Sequence, residues 1–171
     1  VVFKGVDHQF DTTFFSSNVV QGRFPILKSN GYTVEVLLST KIANILKLDI
    51  GDEVLIYFVQ NPPRYRNLIV TGVYETGLED FDDKFIIGDL NLIRRINDWN
   101  SNQVGGVEVF ISPGKKISES QSTLFNQVAS DLYVESIEQK YLQLFDWLSL
   151  LNRNVYIFLT LILLVASFSM V

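Results

Sequence analysis

The sequence predicts an α+β fold that leads into the start of a transmembrane helix, and three observations carry that reading. Apolar residues alternate with others in short runs bounded by turn signals, as at Val34, Val36 and Leu38, which is the period of strands. Short helical patterns follow polar residues suited to capping, Ser39 and Asp89. Val155 to Val171 then reads VYIFLTLILLVASFSMV without a charge, Pro or Gly.

That last run covers roughly 25 Å at ~1.5 Å of rise per residue, a little less than the ~30 Å hydrocarbon core of a bilayer, with the pattern still running at its final residue. The chain is therefore expected to be a fragment of a longer protein. A membrane-interface set is expected at Trp147, Arg153 and Tyr156, with Tyr141 upstream, because a charge and amphipathic rings favour the membrane–water boundary. A run under twenty residues also suits a buried core helix; the absence of a polar face favours lipid.

Of the 171 residues, 47% are hydrophobic and 19% charged, enough for one ordinary core or two small ones. A net charge of −5 gives no footprint for nucleic acid, which needs clustered Lys and Arg. With no cysteine, disulfides, Fe–S clusters and thiolate zinc sites are excluded, while the compartment stays open. No basic leader or signal-peptide core opens the sequence, so Val1 is expected to lie inside a longer chain.

In chain order, Val1 to Val6 reads as a short strand ended by the turn at Gly5-Val6-Asp7. Phe10, Phe14 and Phe15 then suit the inward face of a short helix, with an aromatic ligand platform as the sharper alternative. Turns fall at Gln21 to Pro25 and at Ser29-Asn30-Gly31. Val34, Val36 and Leu38 alternate with Glu35 and Leu37 as in a half-buried strand, and Ser39 caps a helix whose Ile42, Ile45 and Leu46 share one face. Leu48 and Ile50 close over the core, Gly51-Asp52 turns, and Asp52 to Val59 reads as a nearly continuous apolar strand.

Gln60 to Asn67 is polar and stiff, with Pro62 and Pro63 followed by Arg64, Tyr65 and Arg66. Neither proline can donate to a ladder, so this stretch connects the strand before it to another at Leu68 to Tyr74. Its five named residues are the candidate partner-contact site, since Pro limits ordering entropy and Arg and Tyr are enriched at binding hot spots; a solvated turn is the plain alternative. Glu75, Glu79, Asp80, Asp82 and Asp83 surround Gly77. They lack the calcium-loop spacing, and a solvated acidic loop is the reading adopted. Phe85 to Ile87 reads as a short buried strand, and Asp89 caps a helix with Leu92, Ile93 and Ile96 inward and Arg94 and Arg95 near its C-terminal end.

Trp99 to Gly106, rich in Asn, Ser, Gln and Gly, is the candidate boundary. Beyond it a strand is expected at Val107, Val109 and Ile111, a capping box at Ser118 and Gln121 opening a helix with Leu124, Phe125 and Val128, and a second strand at Leu132 to Val134. From Glu138, with Tyr141, Leu144, Phe145, Leu148 and Leu151 on one face, one unbroken helix is expected to run into the membrane.

No catalytic, cofactor-binding or metal set emerges. His8 is the lone histidine and reads as a turn residue; no Cys-His or Ser-His-Asp arrangement appears. Gly114-Lys115-Lys116 lacks the first Gly and the Ser or Thr of a phosphate-binding loop, because Val109 and Ile117 stand there.

The order GVDHQF, VVQGRF, VLLSTKIANILKLDIGDEVLIYF, IVTGVYETGLEDFDDKFIIGDL and LLNRNVYIFLTLILLVASFSMV resembles the periplasmic part of lipoprotein-releasing ABC transporter permeases of the LolC/LolE type. The resemblance covers nearly the whole chain. It implies a bacterial inner-membrane permease with four membrane helices, a large periplasmic domain between the first two, and a separate cytoplasmic ATPase subunit. The permease itself would then be no enzyme. It implies a MacB-like periplasmic core, with a sabre-like, mostly β subdomain at 1–100, the returning half of a porter-like α/β subdomain at 101–136, and a helix at 137–171 that begins the second membrane span. Partners implied are the ATPase, a second permease copy or paralogue, a lipoprotein substrate and a periplasmic carrier. The chain departs from the carrier-binding member of the family, where a long hook protrudes at the position of the short Gln60 to Asn67 stretch. It is then the partner permease without a hook, or its carrier docks differently, or its substrate is no lipoprotein. MacB-like efflux permeases and FtsX-like regulators of cell-wall enzymes share the membrane pattern, and a membrane-anchored adaptor without a transport cycle is the alternative of another class.

Overall fold

A computed structural model describes residues 1–169; the last two positions of the Val155–Val171 run, Met170 and Val171, lie outside the described residues. The chain divides into two compact units, residues 1–107 and residues 108–171.

The first unit is a six-stranded mixed sheet with short helices. Its strands are β1 (Val2–Val6), β2 (Val19–Gly22), β3 (Glu35–Ser39), β4 (Glu53–Phe58), β5 (Arg64–Tyr74) and β6 (Phe85–Asp89); its helices are α1 (Thr13–Ser17), α2 (Thr40–Leu46), α3 (Glu79–Asp82) and α4 (Leu90–Ile96). The order is β1-β6-β3-β5-β2, with β4 also paired to β5. β1 runs parallel to β6 and β5 parallel to β3, whereas β3 and β6 are antiparallel.

The antiparallel pair organises the unit as two matching halves. Each strand ends in a buried cap that opens a seven-residue helix: the Ser39 hydroxyl accepts from Ile42 N at 3.1 Å, and the Asp89 carboxylate accepts from Asn91 N at 2.8 Å. Each cap also reaches the segment leading into the other half. Asp89 Oδ2 accepts from Thr33 N at 2.7 Å just before β3, and Ser39 Oγ donates to the Asp82 carbonyl just before β6. Both are buried, so these bonds satisfy groups that water cannot reach. Close approach of β1 depends on Gly88, where a Cβ would stand 2.3 Å from the Phe3 ring.

Both faces of the sheet are covered, which explains why β3 is not half-buried. Val36 and Leu38 point into one core with Ile42, Val54, Leu68, Val70, Ile86, Leu92 and Ile96, while Leu37 points into a second with Phe15, Tyr74 and Ile87. The second core is aromatic, flanked by Phe10, Phe24, Phe81 and Phe85, with Phe15 edge-on to Tyr74 at 5.6 Å. Of the phenylalanine trio, Phe15 is buried and Phe14 stays exposed. Burial raises the Tyr74 hydroxyl pKa, with the nearby Asp82 charge as the second cause, and the hydroxyl donates to the Phe85 carbonyl at 2.9 Å. In α2 the inward residues are Ile42 and Ala43, while Ile45 and Leu46 are exposed; seven residues present too narrow a stripe for all four.

The acidic loop is not merely solvated. Asp82 accepts from Thr76 N, Thr76 Oγ1 and Gly77 N, while Asp83 pairs with Lys41 at 2.6 Å and Asp80 pairs with Lys84.

The second unit holds α5 (Ile117–Phe125), α6 (Ile137–Lys140) and α7 (Leu142–Ser169), and no strand among its described residues. The strands expected at Val107–Ile111 and Leu132–Val134 are irregular backbone, so the second unit contains no strand-helix-strand unit. Their side chains are largely exposed, and a strand without a hydrogen-bonding neighbour gains nothing for the entropy it loses. The capping box lies at Ser136 and Gln139 rather than at Ser118 and Gln121; α5 begins after Lys116 with no side-chain cap. Nor is the helix from Glu138 unbroken, because Tyr141 leaves the helical region at φ −118°, ψ 44° and separates α6 from α7.

Candidate contact face on the β4–β5 hairpin

β4 and β5 form an antiparallel hairpin in register from Glu53↔Ile69 to Phe58↔Arg64, joined through Val59 to Pro63. Pro62 and Pro63 are exposed in the connection, outside the ladder to which neither could donate. Arg64, Tyr65 and Arg66 belong to the strand itself, so their side chains alternate instead of projecting together.

Arg64 is not a free contact residue. Its guanidinium forms a fork with Asp98, Nη1 to Oδ1 at 3.1 Å and Nη2 to Oδ2 at 2.5 Å, and Nη1 also donates to the Ile96 carbonyl at 2.5 Å. The fork sits at the C-terminal end of α4, where a cation meets the unsatisfied carbonyls and the negative end of the helix dipole. Asp98 adopts a left-handed backbone at φ 54°, and Trp99 N then closes on the Arg94 carbonyl at 2.8 Å, which turns the chain so that the carboxylate faces Arg64. The hydrogen-bonded partnership lowers the Asp98 pKa and raises that of Arg64. Gln60 Nε2 donates to the same Ile96 carbonyl at 3.3 Å. These residues with Asn61, Pro62, Asn97 and Trp99 line an open groove of about 360 Å³.

What the hairpin offers to solvent is its other side. Val54, Ile56 and Phe58 face the first core, and Glu53, Leu55 and Tyr57 face outward opposite Ile69, Asn67 and Tyr65 of β5, with Asn67 Nδ2 donating to Glu53 Oε2 at 3.4 Å. Leu55, Tyr57, Tyr65 and Ile69 are 45%, 65%, 62% and 39% exposed, and the Tyr57 and Tyr65 rings lie 6.0 Å apart. Val59 at the tip is fully exposed. Arg66 is half-buried, and its Nη1 donates to the Tyr65 carbonyl at 2.7 Å. The expectation of one continuous apolar strand hid this face; reading period two through Glu53-Val54-Leu55-Ile56-Tyr57-Phe58 reveals it. Asp98 was not legible as a partner of Arg64, because only the fold brings positions 34 residues apart together.

The expected membrane-interface residues all lie on α7. Trp147, Arg153 and Tyr156 are exposed between its first turns and its midpoint. Over 28 residues α7 is about 42 Å long, and Leu142–Phe168 is long and apolar enough to cross a membrane, with none of its apolar window buried within the chain. Its charge-bearing first part holds Asp146 and Arg153, and the stretch from Val155 on holds none. Among the described residues, no group of three or more His, Cys, Asp or Glu side chains is placed to hold a metal ion.

No known protein family and no curated protein matches the chain.

Proposed function

We propose that the chain is part of the permease subunit of an ABC transporter of the lipoprotein-releasing type, with residues 1–107 on the periplasmic side of a bacterial inner membrane. The observation that carries this reading is the joining of a self-contained α+β unit to a long apolar helix with no protein cover. The order of segments that resembles the LolC/LolE-type permeases supports it further. In this reading a cytoplasmic ATPase subunit drives the membrane helices, the motion passes through α7 to the folded unit, and a lipoprotein leaves the bilayer, taken up by a periplasmic carrier. A second permease copy or paralogue completes the pore, and hydrolysis belongs to the ATPase alone.

The test is purification of the full-length protein from its native membranes, followed by reconstitution with whatever ATPase accompanies it. ATP-dependent release of a fluorescent lipoprotein from proteoliposomes is expected. Recovery without any ATPase overturns the transport reading and leaves a membrane-anchored adaptor. The short Val59–Pro63 connection favours a second reading, a MacB-like efflux or FtsX-like regulatory permease, because it lacks the length of a carrier-binding hook. ATPase recovery together with no lipoprotein release selects that one.

A further inference from the structure

We infer that the groove between the hairpin tip and the C-terminal end of α4 is a binding site for a neutral saccharide unit. The site lies within residues 1–107 and depends neither on transport nor on membrane anchoring. Its volume of about 360 Å³ falls in the range usual for small-molecule sites, roughly 300–1,000 Å³. Its walls are held in place by the protein's own bonds. The Arg64–Asp98 fork and the bond from Gln60 Nε2 to the Ile96 carbonyl tie the hairpin to the helix end, and Trp99 N closes on the Arg94 carbonyl beside them. A ligand entering here has little ordering of the protein to oppose it.

The hydrogen-bonding groups left over in the groove decide the class of ligand. No described residue engages the side-chain amides of Asn61 and Asn97 or the Trp99 indole N–H, and Gln60 keeps its Oε1 after its Nε2 is spent on Ile96. Each Asp98 oxygen takes one Arg64 nitrogen and retains acceptor capacity, with the side chain 73% exposed. Donors and acceptors therefore stand together around one small opening. Sugar hydroxyls, each both donor and acceptor, satisfy such a mixture. Charge narrows the class, because Arg64 and Asp98 are the two ionised side chains of the lining and neutralise each other. Neither an anion nor a cation meets a free counter-charge. Ile96 presents its carbonyl while its side chain is 1% exposed, so the groove has no aliphatic pocket for an acyl chain or for the side chain of a bound peptide. The apolar surface that remains belongs to the Pro62 and Trp99 rings, and rings suit the C–H face of a pyranose.

The chain has two tryptophans, so Trp147→Phe leaves Trp99 as the single indole reporter, and Trp99 lines the groove. The full chain with that substitution, held in a zwitterionic detergent that brings no sugar headgroup, is titrated with cellobiose, maltose and di-N-acetylchitobiose while Trp99 fluorescence is followed. A saturable change at millimolar concentration is expected with at least one of the three. Sodium phosphate and trialanine should leave the emission unchanged. Asn61→Ala and Asn97→Ala remove side chains that bond to nothing in the free protein, so each should weaken the saccharide response about three-fold or more with the thermal midpoint unmoved. Flat titrations with all three sugars overturn the site. A response to phosphate or trialanine equal to or stronger than that to every sugar overturns the assignment to a neutral saccharide. A sugar response that survives both asparagine substitutions places the contact outside the groove and overturns the inference as well.

Discussion

Residues 1–107 and residues 108–169 spend similar apolar side chains in opposite ways. In the first unit every core residue lies between Val6 and Ile96 and is closed over by strands and helices from both halves of the sheet. In the second, Ser136 is the one buried side chain among the described residues, while Phe110, Phe125, Tyr133 and most of α7 face outward. Hydrophobic composition alone does not distinguish a core from a surface that awaits another solvent. The first unit can hold its own fold through internal burial, whereas α7 is long and apolar enough to cross a membrane and its apolar window has no cover from the described residues.

Truncation of a large apolar side chain in each setting gives the largest expected contrast. Leu38→Ala removes a fully buried side chain from the first core and should cost ~3–5 kcal/mol, read as a shift of the urea midpoint. Phe125→Ala removes a larger side chain from an exposed site in α5 and should stay within ~0.5 kcal/mol. Equal losses would mean that α5 is covered by something that the chain alone does not supply.

The buried caps come next, because they test whether polar groups divide between the units as apolar ones do. Asp89→Ala strands two backbone donors, Thr33 N and Asn91 N, and should cost ~2–4 kcal/mol. Ser39→Ala loses a hydroxyl that caps α2 and ties down the Asp82 carbonyl, and ~1–2 kcal/mol is expected. In the second unit the Ser136–Gln139 capping box opens only a four-residue helix, so Gln139→Ala should move the melting temperature of the first unit by nothing measurable.

The difference between the units also sets how much of the molecule could be read from sequence. Ser39 and Asp89 were legible as caps, and β3, β5 and β6 as strands, because in the first unit local pattern and tertiary burial demand the same thing. Leu37 was assigned to the wrong environment since no alternation reveals a sheet covered on both faces. Val107 to Ile111 alternates as well as any strand in the chain, yet pairing depends on a neighbour that the sequence pattern cannot supply. The contact residues were half legible: Pro62 and Pro63 marked the hairpin, but the partnership of Arg64 with Asp98 needed the turn at the end of α4, and the outer face of β4 needed the register with β5.

Acid should erode the first unit through its ion pairs. Glu35 accepts a fork from Arg23, which lowers its pKa, and Asp98 is lowered likewise by Arg64. A carboxylate depressed in the folded state contributes stability that is present above its unfolded value near pH ~4 and is lost as pH falls through the folded value. Thermal melts between pH ~5 and ~3 should therefore show falling stability, less steeply in Glu35→Gln and Asp98→Asn than in the unaltered chain. A slope unchanged in both variants would place the acid sensitivity elsewhere.

The smallest effects are expected on the hairpin, where two neighbouring residues of the candidate contact site, Arg64 and Tyr65, separate into different roles. Arg64 is bound to Asp98 and to the Ile96 carbonyl, so Arg64→Ala should lower the melting temperature by loosening the end of α4, and Asp98→Ala should lower it by a similar amount with little added loss in the double variant. Tyr65→Ala leaves an exposed ring's place empty and disturbs only the contact with Tyr57, so its stability should stay within ~0.5 kcal/mol of the unaltered chain. The value of the pair lies in what happens when a partner is present. Tyr65→Ala should then lose binding without having lost stability, whereas a binding defect in Arg64→Ala that follows its melting temperature marks a residue that shapes the hairpin and does not touch the partner. If Tyr65→Ala instead unfolds the domain, the outer face of β4 and β5 is packed against part of this chain, and the contrast between a closed core and an open hairpin face is wrong.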